Sequence, residues 1–150
     1  HNWSRVFRMV NDKSLPFAPA GGGSFCDVRE VARAHVRAFH VATAGERYLL
    51  GGNYSTILNV IRVAGRILGR RVPSYPLPEW LLRGWALAES SVAPFIGREH
   101  DVTPEAAVMA SRQIICDSTK ARDELEYAFT PVPDMIRDTI DWMRHKDLLK

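Results

Sequence analysis

Residues 45–69 read GERYLLGGNYSTILNVIRVAGRILG. Arg47 to Leu50 is a short apolar run stopped by Gly51-Gly52, the pattern of a buried strand. Asn53, Ser55 or Thr56 can accept the free amides that open a helix. Ile57, Val60, Ile61, Ala64 and Leu68 then recur at helical spacing until Gly69, a residue suited to a left-handed C-terminal cap. Strand, tight glycine turn and capped helix make one unit of a layered α/β protein.

Working outward toward the start, residues 1–23 read as irregular. Trp3, Val6, Phe7 and Val10 hint at one short helix, and Lys13 to Gly23 holds two prolines and three consecutive glycines. Residues 24–28 form a short strand candidate that runs directly into a helix, with Asp27 placed as its N-cap. Val28, Val31, Ala32, His35, Val36 and Phe39 form the expected buried stripe of that helix, with Arg29, Arg33 and Arg37 on its outer face and Gly45 as its end. His35, on the apolar stripe, reads as a hydrogen-bonded core histidine.

The second half reads as more helical. Pro73, Pro76 and Pro78 mark an extended stretch, and Trp80, Leu81, Trp85 and Leu87 begin a helix of bulky apolar residues. Thr103-Pro104-Glu105 is a helix start, with proline at the first helical position. Residues 114–117 form another short strand candidate. Asp117 or Ser118 opens a helix that ends near Leu125. Pro131 to Lys146 carries a stripe at Val132, Met135, Ile136, Thr139, Ile140 and Met143.

The totals narrow the function classes. The chain has 150 residues, 46% hydrophobic and 25% charged, as in an ordinary globular domain with a real core. It opens on His1, and its first twenty residues read as mid-stream, so a piece of a longer polypeptide is expected. No apolar run reaches the length of a membrane span and no signal peptide is evident, which predicts a cytoplasmic chain without a membrane partner. Cys26 and Cys116, far apart and without a CxxC, read as reduced, buried thiols. His35 and His40 stand five apart, on different helix faces, so no metal site is expected. The net charge of +3 is uneven: residues 1–75 carry +7 and residues 76–150 carry −4.

No glycine-rich loop joins a strand to a helix, so nothing here can wrap a pyrophosphate. None of Tyr48, Tyr54, Tyr75 and Tyr127 is followed four residues later by lysine, the pairing that lets a tyrosine exchange a proton with a hydroxyl or carbonyl. There is no GxSxG and no HExxH either. No catalytic, cofactor-binding or metal-ligating residue is therefore expected in the chain itself.

Four stretches carry a resemblance. GGSFCDVREVARAH (22–35) resembles the GxxFVDVRDVAxAH signature in the second half of extended short-chain dehydrogenases, and GERYLLGG (45–52) resembles the GERYxLGG strand that follows it. CDSTKARDEL (116–125) is similar to their DxSKAxxELG turn and helix, and residues 131–142 to their closing helix. The order and spacings fit across nearly the whole chain, and the likeness is closest to dihydroflavonol-reductase-like and sugar-epimerase-like members. The resemblance implies an α/β fold: the C-terminal, substrate-side portion of a Rossmann-type enzyme, mainly helical with a few short parallel strands, its 47–50 strand joining the edge of the parent's sheet.

It also implies that the parent moves hydride between NAD or NADP and a carbonyl or alcohol carbon. The nucleotide-binding domain, with its tyrosine and lysine, would lie N-terminal to this segment, which alone would bind no cofactor and turn nothing over. Where many sugar-nucleotide epimerases of the family place a diphosphate-gripping arginine, four residues before the aspartate, this chain has Gly23. A glycine cannot replace a guanidinium fork, which favours a smaller carbonyl or alcohol substrate over a diphosphate sugar. A second family arginine has a possible match at Arg98.

Substrate contacts are expected from irregular segments: Phe17, Ser24 and Phe25 near the first strand, with Trp80, Trp85 and Arg98 on a lid. An exposed cleft wall would favour self-association. The competing reading, from another class, is a basic helical module whose rows Arg29/Arg33/Arg37 and Arg62/Arg66/Arg70 bind nucleic acid or an acidic partner. Rows without interleaved aromatics more often mark a solvated helix face, so nucleic acid is the less expected partner.

Overall fold

A computed structural model describes residues 3–96 and 104–149. The elements in chain order are α1 (Trp3–Asn11), β1 (Ala18–Pro19), β2 (Gly22–Phe25), α2 (Val28–Val41), β3 (Asn53–Thr56), α3 (Ile57–Leu68), β4 (Pro76–Leu77), α4 (Glu79–Ile96), α5 (Pro104–Ser111), β5 (Gln113–Ile114), α6 (Thr119–Leu125) and α7 (Val132–His145). The architecture is mixed α/β and mainly helical, as the sequence predicts. β1 and β4 pair in parallel, Ala18 opposite Pro76, and a second sheet has the strand order β3-β2-β5. The chain folds as two compact units, His1–Gly22 with Thr56–Gln113 and Gly23–Ser55 with Ile114–Lys150.

In the first unit α3 carries the core. Its buried positions Leu58 and Ile61 pack with Val10 of α1 and Ala18 of β1, and Val6, Leu15, Leu68 and Val72 close the sides. Thr56 caps α3, its Oγ1 accepting the Asn59 amide at 3.1 Å, and Gly69 ends it in the left-handed region at φ 65°. The helix read over 57–68 is thus observed with the expected caps. A smaller cluster joins Leu82 and Ala86 of α4 to Ala107 of α5, with Phe17 and Leu77 against it. Gly21 is fixed by a close approach: its amide donates to the Ala110 carbonyl at 3.0 Å, and an added Cβ would stand 2.3 Å from that oxygen.

In the second unit Ala34 of α2 packs with Ala121 and Leu125 of α6 and with Tyr127, flanked by Tyr48, Leu50 and Phe129. α7 buries Val132, Ile136, Ile140 and Met143, most of the stripe read from its sequence, and half-buries Met135 and Thr139. Asp27 caps α2 as expected, its Oδ1 accepting the Arg29 amide at 2.8 Å.

Several expectations are corrected. The strand placed at 47–50 is not one; Tyr48 and Leu50 are half-buried and Arg47 and Leu49 exposed in a segment without regular structure, and the ladder begins only at Asn53. The alternation of a strand is present there without its hydrogen bonds, which a sequence pattern cannot supply. The strand candidates at 24–28 and 114–117 are observed shifted toward the N-terminus, at 22–25 and 113–114. α2 stops at Val41, and the turn at Gly45, φ 90°, follows it.

Most of the apolar stripe read on α2 faces outward, and of its six residues only Val31 is half-buried. Val28 is 78% exposed, Val36 63% and Phe39 86%, while the buried contact runs along Ala34 and half-buried Ala38. Small alanines let α2 approach α6 closely, so that side becomes the inner one. His35 is accordingly exposed, its Nδ1 2.8 Å from the Val31 carbonyl oxygen, and is not a core histidine. The thiols are free, but Cys26 is exposed and Cys116 half-buried, so neither is the buried thiol expected.

Candidate functional site

The expected substrate contacts fall into two groups. In the first unit, Phe17 follows α1 and its ring meets Trp85 of α4 edge-on, centroids 5.8 Å apart at 72°. This geometry sets the positive ring edge against the negative face of its neighbour. Phe17 is half-buried against the Leu82–Ala86–Ala107 cluster and Trp85 stays 54% exposed, so the pair presents an aromatic surface on a packed base. Trp80 lies further out on the same helix. Arg98 lies outside the described residues, as does Thr103.

In the second unit Ser24 and Phe25 sit on β2. The Ser24 hydroxyl accepts the Cys116 amide at 3.0 Å, a bond that ties β2 to the 116 segment. Beside it, the Gly51 amide donates to the buried Ser118 Oγ at 2.8 Å. Ser118 therefore serves the glycine turn; the opening amide of α6 at Thr119 goes instead to Asp117 Oδ1 at 2.9 Å. That bond holds the Asp117 carboxyl below its ordinary pKa.

A cluster joins residues 46–48 to α6, and in it Lys120 reaches a carboxylate, as its place in the turn motif allows. The Tyr48 hydroxyl donates to Glu124 Oε2 at 2.6 Å, Lys120 pairs with Glu46, and the Lys120 ammonium stands 4.7 Å from the Tyr48 ring centroid. A tyrosine beside a lysine invites an acid–base reading, but the chemistry runs the other way. The hydrogen bond to Glu124 raises the phenol's pKa, and the bond to Glu46 raises that of the ammonium. Both hold their protons, whereas a catalytic tyrosine needs its pKa lowered. The cluster fastens the GERY segment to α6.

The arginine row of α2 is neutralised. Arg29 pairs with Asp27 and Asp138, Arg33 with Glu30 at 2.6 Å, and Arg37 with Glu126 at 2.6 Å. These contacts leave the nucleic-acid reading of that row without support.

Tyr127 is buried at 5% exposure and its hydroxyl has no hydrogen-bond partner among the described residues. Burial first, then the neighbouring Cys26 and Glu30, push its pKa up to about 12, so it stays neutral. An unsatisfied buried hydroxyl is a cost that phenylalanine lacks. Tyr127→Phe is expected to raise stability by about 1 kcal/mol, read as a higher midpoint in urea with an unchanged slope.

No protein-family model matches the chain. Over 142 residues, 92% of its length, the chain is 25% identical to a Synechocystis sp. protein that carries the provisional name dihydroflavonol 4-reductase, and it covers 41% of that protein. The structure of a nucleoside-diphosphate-sugar epimerase from Pseudomonas aeruginosa matches with a TM-score of 0.71 at 25% identity, over 99% of this chain and 44% of that one. This chain is a relative of the extended short-chain dehydrogenases. UDP-glucuronic acid 4-epimerase from Bacillus cereus, solved in complex with NAD, shares the fold at 17% identity with a TM-score of 0.58, over 93% of this chain and 38% of that one. The chain spans about two-fifths of the length of the proteins it matches. Its kinship with NAD(P)-dependent reductases and epimerases holds at family level.

For an extended short-chain dehydrogenase relative, Gly23 is informative. Its φ lies outside the positive region, and an added Cβ would meet only the Ile114 carbonyl at 3.7 Å, an ordinary contact. Neither backbone nor packing requires glycine here, so the absence of a cation at this position is not dictated by the fold.

Proposed function

We propose that this chain is the substrate-side portion of an NAD(P)-dependent reductase acting on a carbonyl or alcohol carbon, closest in kind to dihydroflavonol reductases. A partner portion would carry NAD or NADP and the catalytic tyrosine and lysine. The observation that carries the reading is the outward apolar face of α2: Val28, Val36 and Phe39 form a face whose composition suits burial, and segment 47–50, which joins no ladder among the described residues, would offer backbone groups to another sheet. The same exposed face would make the chain self-associate when isolated.

The described residues do not fit a dinucleotide. The N-terminus of α2 is filled by the Asp27 carboxylate, which repels phosphate, and that of α3 by Thr56, directly off β3 with no glycine loop between. A nucleotide bound by the other portion would donate hydride to a substrate carbonyl carbon in its reduced form, or accept hydride from an alcohol carbon in its oxidised form. Of this chain's own residues, Phe17 and Trp85 of the first unit would orient the substrate, offering an apolar, aromatic wall.

A chimera tests the reading: the chain replaces the matching residues of the Synechocystis relative. The chimera should bind NADPH or NADH and reduce a dihydroflavonol, while the isolated chain binds neither nucleotide. Val36→Asp with Phe39→Asp should abolish both activities of the chimera. Tight nucleotide binding by the isolated chain, or a chimera indifferent to the two aspartates, contradicts the proposal. A chimera that binds nucleotide and reduces no dihydroflavonol contradicts its substrate part.

A further inference from the structure

The first unit presents a second apolar surface of different character. Tyr75 is 85% exposed, Trp80 71%, Leu87 56% and Leu81 39%. At about 100° per residue, Trp80, Leu81 and Leu87 fall within about a third of the circumference of α4, opposite buried Leu82 and Ala86. Tyr75 immediately precedes the Pro76-Leu77 strand that leads into that helix. The surface is thus rich in tryptophan, tyrosine and leucine, whereas the outward stripe of α2 is mainly valine.

Its surroundings are cationic. The Arg62 guanidinium donates to the Ser74 carbonyl, which sets it beside Tyr75, and Arg66 continues the exposed face of α3 one turn on. Among the described side chains of this unit, nine arginines and lysines stand against three carboxylates. Arg83 on α4 pairs with Glu79 at 3.8 Å, and the α2 arginines of the other unit are each paired with a carboxylate, so the cations offered beside the aromatic surface are Arg62, held next to Tyr75, and Arg66 one turn on.

We infer that the Tyr75–Trp80–Leu87 surface docks on an anionic lipid bilayer, the aromatic rings seated at headgroup depth and the arginines of α3 facing the lipid phosphates. Tryptophan and tyrosine suit that layer because each joins an apolar body to a polar tip, and basic neighbours add attraction to a negative leaflet. Association of this kind needs no membrane span; no helix among the described residues is long and apolar enough to cross a membrane. The inference does not rest on the proposed enzymatic role.

Vesicle flotation with the whole chain tests it. Vesicles of phosphatidylcholine with phosphatidylglycerol should carry the chain, phosphatidylcholine alone should not, and rising salt should weaken the association. Tyr75→Ser with Trp80→Ser should lower partitioning by about tenfold or more with an unchanged circular-dichroism spectrum. Val36→Ser with Phe39→Ser on α2 should leave it within about twofold. Equal carriage by phosphatidylcholine alone, no carriage, or indifference to loss of Tyr75 and Trp80 would overturn the inference. So would duplex DNA that binds tightly and displaces the vesicles, which would assign the arginines to nucleic acid.

Discussion

Gly52→Ala is expected to unfold the second unit or cost it about 3 kcal/mol or more, the upper end of overpacking. A Cβ at this position would stand 1.8 Å from the Phe25 carbonyl oxygen and 3.0 Å from the Cys26 Cα. These are backbone atoms of β2 and its continuation into the Asp27 cap, so no side chain can swing aside. Relief would require β2 and the 51–53 segment to separate, breaking the pairing of β3 with β2. Gly23→Ala, on β2 itself, supplies the contrast. Its Cβ would meet only an ordinary contact at 3.7 Å, and the change is expected to stay within about 1 kcal/mol. Urea denaturation of the two variants checks both statements. Similar midpoints would show that Gly52 is not pressed against β2.

The second large effect is at Asp27. Its carboxylate is buried, accepts the Arg29 amide at 2.8 Å and also receives the Arg29 guanidinium. Asp27→Ala leaves the first turn of α2 uncapped and should lower the unfolding free energy by about 1–2 kcal/mol. Asp27→Asn retains an equally good cap acceptor and should recover most of that loss, since the guanidinium is more than half exposed and the ion pair adds little.

The pH dependence has a definite sign. The hydrogen bond from Arg29 is the largest influence on Asp27 and lowers its pKa in the folded chain. Its contribution is therefore fully present above the unfolded carboxyl pKa, near 3.8, and is lost as pH falls through the lower folded value. Wild type should lose stability below about pH 4 more steeply than Asp27→Asn. Parallel curves for the two would remove Asp27 from the acid transition.

Much of the local order was legible in the residues. Thr56 and Gly69 mark the two ends of α3, Asp27 the start of α2, and the 132–143 periodicity the buried face of α7. These signals are local: a cap acts within three residues, a left-handed terminus within one, and a helical stripe within a few turns. The family resemblance was readable for a related reason, since its motifs are made of such caps and turns in fixed order.

Other features depended on contacts distant in sequence. Whether α2 turned its valines or its alanines inward was settled by α6, more than eighty residues away, against whose Ala121 the small side chains pack. The sequence of α2 contains an apolar stripe and an alanine row, and its periodicity alone cannot say which one meets a neighbour. The 47–50 segment likewise shows the alternating burial of a strand, yet ladder hydrogen bonds need a second chain segment at the right spacing. Gly52 reads as a strand stop in sequence and becomes a close backbone approach only when β2 lies beside it. Of the expected site residues, tertiary packing joined Phe17 to Trp85 and gave the Ser24 hydroxyl to the Cys116 amide. The residues themselves determined where elements begin, end and could bury a face; only the fold decided which face was buried, because burial is a property of pairs.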